Sequence, residues 1–127
     1  MKFLPILALA AAGLAAPLLA QPAGWTVLGF KTVSGGSDHD VISVNSGPTY
    51  RQLQLCAFNA PINMQDFDVS YGNGGNETLS VRSIIRAGTC TRNIDLRGGA
   101  RHITRIDLRY TRLGAGIKTP LVRVMGR

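Results

Sequence analysis

Apolar and polar residues alternate along most of the chain beyond residue 24. The cleanest run is Asp66 to Tyr71: Phe67, Val69 and Tyr71 fall on one side and Asp66, Asp68 and Ser70 on the other. A period of two marks a strand with one face buried and one solvated. The same pattern, bounded by Gly, Pro and Asn, predicts further strands over Trp25–Ser34, Val41–Asn45, Tyr50–Phe58, Thr78–Ile84, Arg92–Arg97, Ile103–Tyr110 and Leu121–Met125. In Tyr50–Phe58 the inward side is Leu53, Leu55 and Ala57, which puts Cys56 on the opposite face. No helical period survives in this part of the chain. About eight short strands at turn spacings of roughly 8–12 residues predict an all-β fold, an antiparallel, jelly-roll-like β-sandwich.

Several links read as turns. Gly35-Gly36-Ser37-Asp38 and Gly72-Asn73-Gly74-Gly75-Asn76 are rich in residues that accept positive φ. Gly98-Gly99 reads as the turn of a hairpin that pairs 92–97 with 103–110.

The first stretch differs. Behind Lys2, Phe3 to Leu19 carries no charge and is mostly Ala and Leu, and Ala20 precedes Gln21-Pro22. A positive start, an apolar run and a small residue at the cut are the marks of a secretory signal peptide. A membrane anchor needs about 20 apolar residues, and Pro5, Gly13 and Pro17 interrupt this run. The reading is therefore a signal peptide over residues 1–20, cleaved at about Ala20/Gln21, and one domain over 21–127. The mature chain would have no transmembrane span and would be periplasmic or secreted.

Export changes the meaning of Cys56 and Cys90. In an oxidising compartment an even number of cysteines points to a disulfide. No C-x-x-C spacing suggests a redox-active pair.

Charge is uneven. The chain carries +7, or +6 without Lys2. Residues 21–81 hold Lys31 and Arg51 against five acids, a net −3. Residues 82–127 hold eleven basic residues against Asp95 and Asp107, a net +9. Most are Arg, whose planar fork suits carboxylates and phosphates. The hairpin reading puts Arg97, Arg105 and Arg109 on one solvent face, with Arg101 at the turn and Arg92 and Arg112 adding to it; Arg123 and Arg127 extend the same side. Such a face suits an anionic glycan, a lipid headgroup or an acidic protein. The plainer reading is a solvated face laced with cross-strand Arg–Asp pairs. A third use joins the acidic half of one copy to the basic half of another, as a homo-oligomer. Nucleic acid fits the charge but not export, and no aromatic interleaving of the stacking kind accompanies the arginines.

Catalytic signals are weaker. Asp38 and Asp40 could contribute to a Ca²⁺ site, but too few oxygen ligands surround them; the plainer reading is side-chain bonding at a turn. His39 and His102 lack the partners of a zinc site or a triad. Asp66 and Asp68 share a strand face and could be imagined as a hydrolase pair, though nothing nearby would tune them. No cofactor is implied.

The segments Trp25–Gly29, Asp40–Val44, Tyr50–Leu55, Val69–Gly74, Ile94–Gly99 and Arg101–Tyr110 resemble a set of small exported bacterial β-rich proteins of unknown function. The resemblance spans nearly all of 25–127 and implies an all-β fold. It implies no activity and no functional residue. Paired cysteines are not a general feature of that set, so the pairing of Cys56 with Cys90 rests on the compartment.

Overall fold

The structure is a computed structural model that describes residues 24–33, 37–44, 47–113 and 119–127. The leader read at 1–20 and its cut at Ala20/Gln21 lie outside these residues.

Nine strands are present among the described residues: β1 (Thr26–Thr32), β2 (Ser37–Ser43), β3 (Gln52–Phe58), β4 (Ile62–Tyr71), β5 (Asn76–Ile85), β6 (Thr89–Cys90), β7 (Ile94–Asp95), β8 (Ile103–Arg112) and β9 (Leu121–Gly126). They form two antiparallel sheets. The first runs β1-β9-β3, with β6 and β7 both paired to the far side of β3; the second runs β2-β8-β4-β5. Taking β6 and β7 as one interrupted strand gives eight, wound as a jelly roll. The winding explains why β1 pairs with the last strand, as in Thr26 against Gly126 and Thr32 against Leu121.

The alternation sets which residues meet between the sheets. Phe67, Tyr110, Leu53, Leu55, Ile106 and Val124 are essentially inaccessible. A fully buried side chain of this size contributes roughly 1.5–3 kcal/mol. Three register shifts interrupt the period. One lies between Val27 and Gly29, so that Val27 stands opposite Met125 and Phe30 opposite Arg123 while Leu28 packs against the core. Another lies between Met64 and Asp66 and breaks register with both neighbours of β4, and a third, between Ser70 and Tyr71, shifts β4 against β8. An extra residue in one strand shifts all that follow to the other face.

Three expectations need correction. The segment 92–97 does not pair with 103–110. Ile94 stands opposite Leu53 in the first sheet, whereas β8 pairs with β2 and β4 in the second. Gly98 and Gly99 both take positive φ, at 88° and 83°, but they turn the chain from one sheet to the other. Buried Ile94 and Leu96 hold the first sheet's side of that crossover. Ser37 and Asp38 are strand, not turn, because they pair with Thr111 and Tyr110. The strand read from Asp66 begins earlier, at Ile62, immediately after Pro61, whose missing N–H suits a position before the ladder.

Candidate functional site

The predicted arginines separate into two groups. Arg105 and Arg109 lie on the outer face of the second sheet, as the period of β8 requires. There Arg109 meets acids from β4 and Arg105 an acid of its own strand. Arg109 stands opposite Asp66, Asp107 opposite Asp68, and Arg105 opposite Ser70. Arg109 donates from Nη1 to Asp66 Oδ1 at 3.0 Å and from Nη2 to Asp68 Oδ2 at 3.3 Å. Arg105 Nε donates to Asp107 Oδ1 at 2.8 Å, and His39 Nε2 lies 3.8 Å from the same oxygen. Thr78 donates to the other oxygen of Asp68 at 2.6 Å. Asp66 and Asp68 are therefore engaged by one guanidinium. Arg112 closes β8 opposite Ile62. Arg92 is exposed in the link between β6 and β7, on the edge of the other sheet.

The second group forms at one end of the sandwich. In this winding the links β2–β3, β4–β5 and β7–β8 emerge together, beside the start of β1 and the end of β9. Backbone bonds tie them: Leu96 N to Arg51 O at 2.8 Å, Arg51 N to Arg127 O at 2.7 Å, Tyr50 N to Arg101 O at 2.9 Å and Gly72 N to His102 O at 2.9 Å. Arg51, Arg97, Arg101 and Arg127 thereby come from distant sequence to a common end.

Each is held differently. The Arg101 guanidinium lies 3.8 Å from the Tyr71 ring centroid and donates to Arg97 O at 2.8 Å. Arg127 lies 4.6 Å from the Trp25 ring and donates to Gln52 Oε1 at 2.9 Å. Arg–aromatic stacking restrains the stem yet leaves donors at the rim. The Arg97 backbone N–H donates to Glu77 Oε1 at 3.0 Å, and its side chain, 86% exposed, stays 3.9 Å from Glu77 Oε2. Glu77 also accepts from Tyr71 Oη at 2.6 Å. Burial, and then that hydrogen bond to a carboxylate, push the Tyr71 phenol well above its ordinary value. Arg51 and Arg127 line a shallow depression of about 350 Å³, together with Gln52, Asp95, Leu96 and Gly99. Asp95 there accepts from Gln52 Nε2 at 2.7 Å.

The chain belongs to the DUF2541 family. The profile of that domain of unknown function matches residues 5–126, so it takes in most of the uncharged stretch Phe3–Leu19 as well as the sandwich. No curated protein and no solved structure matches the chain.

The disulfide expected between Cys56 and Cys90 is present in this DUF2541 chain, while several other residues lie elsewhere than the sequence reading puts them. Cys56 and Cys90 stand directly opposite each other on β3 and β6. Arg123, read as part of the basic face, is 6% exposed on the outer side of the first sheet. Its Nη2 lies 3.8 Å from Cys56 Sγ and its Cζ 4.9 Å from the Phe58 ring centroid. Burial lowers the pKa of this guanidinium from its usual value. Arg51 is the member of the end cluster that sequence reasoning passes over: it belongs to the acidic half, and only the winding brings it to Gly99, where a Cβ would lie 3.6 Å from its Nη1. Asp40 does not bond at a turn. It stands opposite Leu108 in β2 and accepts from the Tyr110 hydroxyl. Asp38 stands opposite Tyr110 in the same ladder.

Proposed function

We propose that this is an exported, non-enzymatic envelope protein whose arginine-bearing end binds the phosphate groups of an anionic envelope glycolipid or phospholipid. The observation that carries the reading is the division among the arginines. Arg105 and Arg109 are matched by acids on their own sheet, whereas Arg51, Arg97, Arg101 and Arg127 share one end. The nearest acids there, Glu77 and Asp95, already accept from Tyr71, Arg97 and Gln52. Guanidiniums with free donors around a shallow, open surface suit phosphates carried on a larger body. Export is supported by the stretch Phe3–Leu19, uncharged and rich in Ala and Leu behind Lys2, with the small Ala20 at its end.

A dimer that joins opposite halves has less to recommend it. Asp66 and Asp68 meet Arg109 within a single chain. A hydrolase built on those two acids has the same difficulty.

The test compares three probes: lipopolysaccharide, vesicles of phosphatidylglycerol, and inorganic phosphate. The triple variant R51Q/R97Q/R101Q should lose binding to the first or second severalfold, and R105Q/R109Q should retain it. Binding should weaken as salt rises. Equal loss in both variants, or affinity that ignores ionic strength, would overturn the reading. Binding to inorganic phosphate alone would make the site one for a free anion. The periplasmic fraction should yield a mature chain beginning at Gln21; an intact leader there would refute the export reading.

A further inference from the structure

We propose that the Cys56–Cys90 disulfide is a directional thiol–disulfide exchange site, at which a small external thiol adds to Cys90 and Cys56 is the leaving group. The proposal is independent of anion binding.

The two sulfurs differ in access. Cys90 sits on a two-residue strand at the sheet edge and is exposed, whereas Cys56 is fully buried on β3. A nucleophile arriving from solvent meets the Cys90 side first. Exchange depends on which sulfur can be reached and on how well the other leaves as a thiolate.

The two also differ in electrostatics. Arg123 Nη2 lies 3.8 Å from Cys56 Sγ. Its guanidinium lies between β1 and β3, on a strand whose register puts Arg123 opposite both Phe30 and Cys56. A cation fixed beside a sulfur in a poorly solvated place favours the thiolate there. Arg123 thus stabilises the charge that develops on Cys56 as the S–S bond breaks.

The step balances. An external thiolate attacks Cys90 Sγ along the S–S axis; a new S–S bond forms between the thiol and Cys90, and the electron pair of the old bond leaves on Cys56. The thiol sulfur is oxidised and Cys56 is reduced. A second thiol, or return attack by Cys56, resolves the adduct. The flanking backbone is held independently of the S–S bond: in the disulfide-bonded protein Gly88 N donates to Ala57 O at 2.7 Å and Thr91 N to Leu55 O at 2.8 Å. Leu55 N also donates to Thr91 Oγ1 at 3.1 Å. The segment around Cys90 therefore stays docked while it carries the adduct.

The experiment exposes the disulfide-bonded protein to glutathione, quenches with acid at successive times, alkylates and maps the peptides by mass spectrometry. The expected species carries glutathione on Cys90 and an alkyl group on Cys56, in large excess over the reverse. R123M should slow its formation about tenfold, the order expected when a thiolate loses its charge partner, and R123K should restore most of the rate. Equal adducts on the two cysteines, adduct mainly on Cys56, or reduction of the disulfide with no adduct on Cys90 would overturn the proposal. An R123M variant that folds and exchanges at the unaltered rate would do the same. If R123M does not fold, the position of the adduct in the unaltered chain decides.

Discussion

Replacing Arg109 with Gln separates a structural arginine from a binding one. Its guanidinium bridges Asp66 and Asp68, and it is the neighbour of a third acid, because Asp68 stands directly opposite Asp107. The side chain is 48% exposed. Each pair is therefore screened and contributes about 0.2–1 kcal/mol, not the larger figure of a buried pair. Removing the cation also leaves two like charges opposite each other on adjacent strands, an unfavourable term of similar size. Together these make R109Q about 1–2 kcal/mol less stable at low salt. For a domain of this length that is a fall in Tm of about 4–8 °C per kcal/mol.

The assay is urea unfolding followed by far-UV circular dichroism and by the fluorescence of Trp25, the one tryptophan in the chain. It is run at low salt and near 1 M, where the Debye length is about 3 Å. At high salt the deficit should shrink by more than half. A double-mutant cycle with D66N should return a coupling of about 0.2–1 kcal/mol. R97Q, whose side chain is 86% exposed, should stay within about 0.5 kcal/mol of the unaltered chain. The reasoning fails if R109Q is as stable as the parent at low salt, or if its deficit is unchanged by salt.

Three other outcomes follow from the same geometry. Reducing the disulfide opens a sequence separation of 34 residues and should cost about 3–4 kcal/mol in unfolding free energy, read as a lower urea midpoint; an unchanged midpoint would show that the pair clamps nothing. Gly126→Ala would put a Cβ 2.8 Å from Tyr50 Cδ1 and 3.3 Å from Leu28 Cδ1, so it should lower stability by about 1–3 kcal/mol in thermal melts. The Tyr71 phenol is raised in the folded state by burial and by Glu77. Its stabilisation is therefore complete below the ordinary tyrosine value of about 10 and is lost as pH rises beyond it; alkaline unfolding should begin later in Y71F, and absorbance at alkaline pH should show one late phenolate fewer in the variant than in the parent.

Much of the fold is legible in the period of two. Phe67, Val69 and Tyr71 face the core as their alternation requires, and Arg105, Asp107 and Arg109 face outward. Cys56 lies opposite Leu53 and Leu55, as expected. Alternation says which way a side chain points but not which strand lies beside it. Gly98-Gly99 shows the gap: both glycines adopt the positive φ that a tight turn wants, yet the residues before and after them belong to different sheets. Arg123 shows another. In sequence it is one more arginine in a basic tail, and only its place between Phe30 and Cys56 in the ladder reveals a buried cation over a disulfide.

The charge split has a physical resolution in the winding itself. A net −3 segment followed by a net +9 segment looks like two surfaces in search of a partner. A jelly roll does not keep halves of a chain apart. It places β4, from the acidic half, between β8 and β5, so Asp66 and Asp68 lie within reach of Arg109. Cancellation is thus strongest in the middle of the second sheet, where the acids are. The excess of cations is left where no acidic strand runs alongside, at the sheet edge with Arg92 and at the end with Arg51, Arg97, Arg101 and Arg127. Of these places only the end has a built character: aromatic rings under two guanidiniums, backbone ties among three links and the end of β9, and a depression lined by Arg51 and Arg127. A count of charge along the chain points to the outer face of β8. The geometry points to the loops, and that is why the binding experiment must compare Arg97 and Arg101 with Arg105 and Arg109.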